Sequence, residues 1–176
     1  ALGYATKEWY DEVRELMIEE PQITAIEDFE NQEKSNVRIT AVCDVFDVRA
    51  KRALNSFNTE DSKITRYANY LELLDSGTVD AVIIATPDHW HAPMSIAALE
   101  RDIHVYVEKP MTHSLEETYR LREAARNSKA VFVVGHQHRQ TQSFKTAKHI
   151  VDKGVLGHIN LIQTNTNRND DNGAWN

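Results

Sequence analysis

The stretch DAVIIATPDHWHAPMSIAALERDIHVYVEKP, residues 80–110, decides the fold. It opens with an apolar run at 81–85 (AVIIA) and closes with another at 103–107 (IHVYV), each short enough to be one strand. Between them, residues 94–101 have the apolar spacing of a helix. Strand, helix and strand in direct succession imply parallel pairing, because parallel strands need a crossover and a helix is its usual form. The strands are nearly continuous in apolar residues rather than alternating, which implies helical cover on both faces of the sheet.

Outward from this unit the pattern repeats. Apolar β-branched runs recur at 37–43 (VRITAVC) and 131–134 (VFVV), with a short strand at 65–67. Amphipathic stretches at 48–57, 68–75, 114–127 and 142–153 read as helices. Ser114 followed by Glu117 is a capping-box pattern, and Gly77 and Gly154 stand where helices stop. The expected class is α/β, a doubly wound parallel sheet. Residues 158–166 (HINLIQTNT) read as a strand that opens a second, α+β domain, so three segments are expected: 1–36, 37–155 and 156–176.

Length and composition agree. A chain of 176 residues fits one domain of ~100–200 residues plus an appendage. With 41% hydrophobic and 27% charged residues, four prolines and six glycines, collagen-like and disordered classes are excluded. No apolar run approaches the ~18 residues of a membrane span, so the reading is a soluble, cytoplasmic protein without a membrane partner; the sequence is silent on a removed leader. The single cysteine, Cys43, sits in an apolar run and reads as a buried thiol. Of the net charge of -7, the excess acid lies in residues 1–36, with ten acidic and three basic side chains, while the remainder holds seventeen of each. A neutral body without a basic stripe argues against nucleic acid as a partner.

In open parallel sheets ligands bind beyond the carboxyl ends of the strands. The residues there are unusually polar: Asp44, then Thr86-Pro87-Asp88-His89-Trp90-His91, then Glu108-Lys109-Pro110, then Gly135-His136-Gln137-His138-Arg139. Asp44 has two readings, an acceptor for an adenosine ribose or a cap of the next helix. As a ribose acceptor it would repel a 2′-phosphate and favour NAD, with NADP the alternative that nearby Arg49 and Arg52 leave open. Lys109 at a strand end can donate to a substrate hydroxyl and steady developing oxyanion charge. The pairs His89/His91 and His136/His138 suggest a metal, but at a helix entry such positions diverge, and no metal is expected.

Residues 37–168 resemble the glucose-fructose oxidoreductase, inositol dehydrogenase and rhizopine-catabolism (Gfo/Idh/MocA) family of NAD(P)-dependent dehydrogenases. The resemblance rests on VCD at 42–44, ATPDHWHAPMSIAALE at 85–100 and HVYVEKPMTHSLEE at 104–117. It implies hydride transfer between a nicotinamide and a sugar, cyclitol or related polyol, in a protein that assembles as a homo-oligomer. By the same resemblance Asp44 meets the adenosine ribose, Ala85, Thr86, Pro87, Asp88, His91, Glu108, Pro110 and Gln137 line the cofactor, and Arg139 faces substrate. Lys109 lies beside nicotinamide and substrate, with a cis peptide before Pro110. Two alternatives stay open. One is the family's NAD-dependent glycosidase branch, which looks to replace the lysine of the Glu-Lys-Pro motif; the other is a non-catalytic NAD- or sugar-binding module.

The sequence also departs from that family. No glycine stands between Gly3 and Gly77, so the family's glycine-rich pyrophosphate turn is missing. The family's proton-transferring Asp and His pair would follow Asn176, and the chain reads as an internal piece of a longer protein. The strand bearing the glycine turn belongs at the sheet centre, a slot that residues 21–27 (PQITAIE) could fill. Residues 1–176 alone are therefore expected to be aggregation-prone or molten, and not to bind NAD at micromolar concentration.

Overall fold

The computed structural model describes residues 37–58 and 63–164; the segments read at 1–36 and 165–176 lie outside these. The chain divides into two compact units, one ending at His136 and the other beginning at Gln137.

In the first unit, β1 (Ala41–Cys43) leads through helix α1 (Asp47–Phe57) to β2 (Thr65–Tyr67), and the two strands pair in parallel with Ala41 opposite Thr65. Helix α2 (Tyr70–Asp75) follows, then β3 (Ala81–Ile84), α3 (His91–Leu99), β4 (His104–Glu108), α4 (Leu115–Asn127) and β5 (Phe132–Gly135). The last three strands form a parallel sheet in the order β3-β4-β5, with Ile84 opposite Val107, Val107 opposite Val134 and Glu108 opposite Gly135. The 80–110 stretch is thus the strand–helix–strand crossover its pattern predicts.

β1-β2 and β3-β4-β5 are separate sheets, and among the described residues no strand pairs with β1 and β3 between them. Their amino ends are tied: the Thr40 hydroxyl donates to the Thr78 carbonyl at 3.0 Å. Strand order is therefore that of a doubly wound sheet on either side of its central slot. The expected strand at 37–43 shortens to its last three residues, because only those face a partner strand. Residues 158–164, expected as a strand, have no strand structure, since extended backbone without a ladder partner is not a sheet element.

Helices α3 and α4 cover one face of the larger sheet. Val105 and Val107 of β4 point into that side, exposed by 2% and 0%, against Leu99 of α3 and Leu121 of α4. On the second face of the larger sheet Ile83 and Val133 stay half exposed. Leu73 and Leu74 of α2 extend the core, and Ala41, Cys43 and Tyr67 of the smaller sheet pack against it.

Local chemistry sets the element ends. The Ser114 hydroxyl accepts from the Glu117 amide while the Glu117 carboxylate accepts from the Ser114 amide, closing the expected capping box at α4. Gly77 follows α2 with φ 66°, a left-handed conformation that costs glycine nothing. Asp102, between α3 and β4, adopts φ 55° although it carries a side chain. Its carboxylate accepts from the Ser128 hydroxyl at 2.9 Å and the Lys129 amide at 2.8 Å, joining the turn before β4 to the turn before β5. These two bonds, the amide first, hold its pKa below the ordinary carboxylate value.

The second unit carries a 3-10 turn (Gln137–Gln140) and helix α5 (Gln142–Asp152), which ends at Gly154 with φ 68°.

Candidate functional site

The carboxyl ends of β3, β4 and β5 form one edge by register, and three of the four polar segments named from sequence follow these strands, Asp44 following β1 of the smaller sheet. Beyond β3, Ala85 and Pro87 are exposed while Thr86 and Asp88 are half-buried. The chain makes a 3-10 turn at Asp88–Trp90 and enters α3 at His91, so His89 and His91 do diverge at a helix entry. Among the described residues no group of three or more potential metal ligands converges.

Beyond β4, Glu108 is half-buried in the ladder, and Lys109 and Pro110 are exposed. The Lys109–Pro110 peptide is cis. Among the described residues the Lys109 ammonium has no hydrogen bond or ion pair, so its three donors are available to a ligand. This edge therefore presents a cation, a half-buried carboxylate and exposed backbone together.

His91 is held differently from what the resemblance implies for it. Its ring is 2% exposed, with Nδ1 2.6 Å from the Pro110 carbonyl oxygen and Nε2 2.8 Å from the Thr86 carbonyl oxygen. Both nitrogens meet this chain's own backbone. Ser95, one turn further along α3, is fully buried with its hydroxyl unpaired.

At the end of β1, Asp44 is half-buried, and its Oδ1 accepts from the Phe46 amide at 2.8 Å. The N-cap of α1 is Phe46, so Asp44 makes an Asx turn ahead of the helix rather than capping it. Its other carboxylate oxygen keeps its acceptor capacity. Arg66 of β2 also donates to the Asp44 carbonyl, at 3.4 Å, and pairs with Asp47, whose pKa it lowers through that hydrogen bond. Cys43, just before Asp44, is half-buried; burial first and the Asp44 charge second push its thiol pKa up.

The close approach of Tyr106 and Gly135 at this edge was not read from the sequence. Gly135 lies opposite Glu108, and a Cβ built there would stand 2.7 Å from the Tyr106 hydroxyl and 3.1 Å from Glu108 Oε2. Tyr106 and Glu108 share a face of β4, and the absent side chain at 135 lets both lie over β5. A glycine closing the apolar VFVV run was the one available sign. Gln137 and Arg139 are exposed in the 3-10 turn of the second unit. Away from this edge, a groove of about 650 Å³ between α3 and α4 is lined by residues including Asp102 and Ser128, at the opposite end of the sheet.

A parallel sheet with ligand-facing groups beyond its carboxyl ends matches a known family. The family model described as an oxidoreductase family with an NAD-binding Rossmann fold matches residues 16–136. The chain belongs to the Gfo/Idh/MocA family. Among its relatives, the inositol 2-dehydrogenase of Salmonella typhimurium is 32% identical over 124 residues, 70% of this chain and 36% of the relative. The levoglucosan dehydrogenase of Pseudarthrobacter phenanthrenivorans is 31% identical over 110 residues, 62% of this chain and 27% of the relative. Among solved structures, the myo-inositol 2-dehydrogenase of Lactobacillus plantarum superposes with a TM-score of 0.63 at 28% identity, covering 73% of this chain and 37% of that one. The chain thus spans between about a quarter and little more than a third of the length of these Gfo/Idh/MocA relatives. No helix among the described residues is long and apolar enough to cross a membrane.

Proposed function

We propose that the whole protein is an NAD-dependent dehydrogenase that oxidises a ring hydroxyl of a sugar, cyclitol or related polyol. The single observation that carries this reading is Lys109: an exposed ammonium without a partner among the described residues, at the carboxyl end of β4, in a chain of this NAD-binding oxidoreductase family. The substrate class is supported by relatives named for inositol and levoglucosan.

The residues present fit a nicotinamide dinucleotide. Asp44, with one carboxylate oxygen spare beyond β1, would accept from the adenosine ribose hydroxyls and oppose a 2′-phosphate. Ala85, Thr86, Pro87 and Asp88 beyond β3, with Glu108 and Pro110 beyond β4, would line the dinucleotide; Gln137 and Arg139 are assigned to cofactor and substrate on the family resemblance. Bound NAD supplies the hydride acceptor. Lys109 orients the reacting hydroxyl by donating to its oxygen and stabilises negative charge as that oxygen loses its proton, an interaction stronger in the transition state than in the ground state. The whole protein is read as a homo-oligomer of the cytoplasm, which sedimentation of the purified protein and fractionation of cells check.

The test is NADH formation by the complete polypeptide over a panel of cyclitols, sugars and anhydrosugars. Net NADH with one of them supports the reading. Glycoside cleavage without net NADH would move the protein to the glycosidase branch, and NAD binding without either product would make it a binding module.

A further inference from the structure

We propose that His91 is a positioning residue that clasps the two strand ends of the site together and thereby aims Lys109. The proposal rests on the dehydrogenase reading for its kinetic consequence, but not for its geometry.

His91 is the first residue of α3, and its buried ring reaches two backbone carbonyls from different strand ends. Thr86 follows β3, and Pro110 follows Lys109. At 2.6 and 2.8 Å both distances are hydrogen-bonding distances. Either tautomer of the neutral ring donates to one of these carbonyls, and the ring donates to both when both nitrogens carry protons. The chain at Lys109 is therefore fixed on either side. Glu108 is held in the ladder opposite Gly135, and the Pro110 carbonyl is held by His91. Only the Lys109 side chain is left to move. The Thr86 contact ties this turn to the β3–α3 turn, so the two segments assigned to the ligand keep one spacing.

A group whose two polar atoms already serve the backbone has none to offer a cofactor, and this separates His91 from the lining residues. Its effect must pass through Lys109, where a misplacement of about 1 Å can cost ~10²-fold in rate.

The experiment compares wild type, His91→Phe and His91→Gln in the complete polypeptide, measuring kcat, KM and NAD affinity by titration. His91→Phe fills the space without donors and should lower kcat by roughly 10- to 100-fold while NAD affinity stays within about threefold. His91→Gln, whose amide carries two N–H groups, should recover most of the loss. A lower melting temperature with unchanged kcat would reduce His91 to a packing residue and overturn the proposal. Weakened NAD binding at unchanged kcat would overturn it in favour of cofactor contact. A second measurement needs neither a folded variant nor activity. In the wild-type protein the His91 ring N–H should exchange slowly with solvent and show scalar coupling across the hydrogen bond to the Pro110 carbonyl, whereas coupling to the Thr86 carbonyl alone would leave the Lys109 turn unheld and overturn the clasp. A fast-exchanging, uncoupled ring proton overturns the clasp. If that coupling is present in a protein that oxidises no polyol, the dehydrogenase reading fails and the clasp stands.

Discussion

Lys109 is exposed at the end of β4 and has no partner among the described residues, so its removal should leave the fold intact while stripping the site of its cation. Lys109→Ala is expected to lower kcat by about 10²- to 10³-fold with NAD affinity nearly unchanged, measured by steady-state kinetics beside NAD titration. Asp44→Ser should shift the NAD-to-NADP ratio of kcat/KM toward NADP by roughly tenfold, about 1.4 kcal/mol, because the carboxylate that opposes a 2′-phosphate is gone. A wild type that already uses NADP as well as NAD would sink the assignment of Asp44. The raised Cys43 thiol pKa carries a sign as well: less thiolate at neutral pH means slow alkylation, accelerating at a higher pH than for an exposed cysteine. Iodoacetamide labelling rates against pH check this. Lys109 was legible in the sequence because Glu-Lys-Pro after an apolar run is a dense local signal. The ring contacts of His91 were not, because its partners are backbone carbonyls, and every residue has one.

Elements were legible where their chemistry is local. The capping box at Ser114 and Glu117 and the stops at Gly77 and Gly154 depend on neighbours within a few residues, and all three appear as expected. Strand extent was less legible, because a strand is defined by its partner: residues 37–40 are as β-prone as 41–43 but lie outside the ladder. Gly135 shows the same dependence across strands, since the reason for it is the Tyr106 ring on β4. Gly135→Ala should push Tyr106 and Glu108 aside and cost about 1 to 3 kcal/mol, read from denaturant unfolding. The turnover number should fall in the same variant, because Glu108 adjoins Lys109. Unchanged stability and turnover would mean that Tyr106 swings clear without consequence.

For the molecule as a whole, class and strand order followed from the alternation of apolar strands and helices. How the second face of the larger sheet is covered did not, because Ile83 and Val133 stay half exposed among the described residues. β1 and β3 each keep an unpaired edge among the described residues, and no glycine turn stands between Gly3 and Gly77. Residues 1–176 expressed alone are thus expected to melt without cooperativity and to fail to bind NAD at micromolar concentration. Calorimetry decides this, since a sharp transition with micromolar binding would show a sheet complete in itself. Acid should also act on the molecule as a unit. Asp47, Asp75 and Asp102 all have pKa values lowered by hydrogen bonds, to Arg66, to Arg101 and to Lys129 with Ser128. Lowered carboxylate pKa values stabilise the folded state above the unfolded value of about 3.9, and that stabilisation disappears as pH falls through the folded values. Melting temperature in the whole protein should therefore drop below about pH 4, and Asp75→Asn should flatten the drop.

Asp102 sits at the far end of the larger sheet from Lys109, gathering the turn before β4 and the turn before β5 onto one carboxylate. Parallel strands set the two ends apart: the Asp102 tether falls at one rim and the Lys109 ammonium at the other. Selection can consequently revise the two rims independently. A lineage that acquires a new substrate by altering the Lys109 rim keeps its anchorage at Asp102. An engineer seeking heat resistance has a place to graft it where no turnover need be sacrificed.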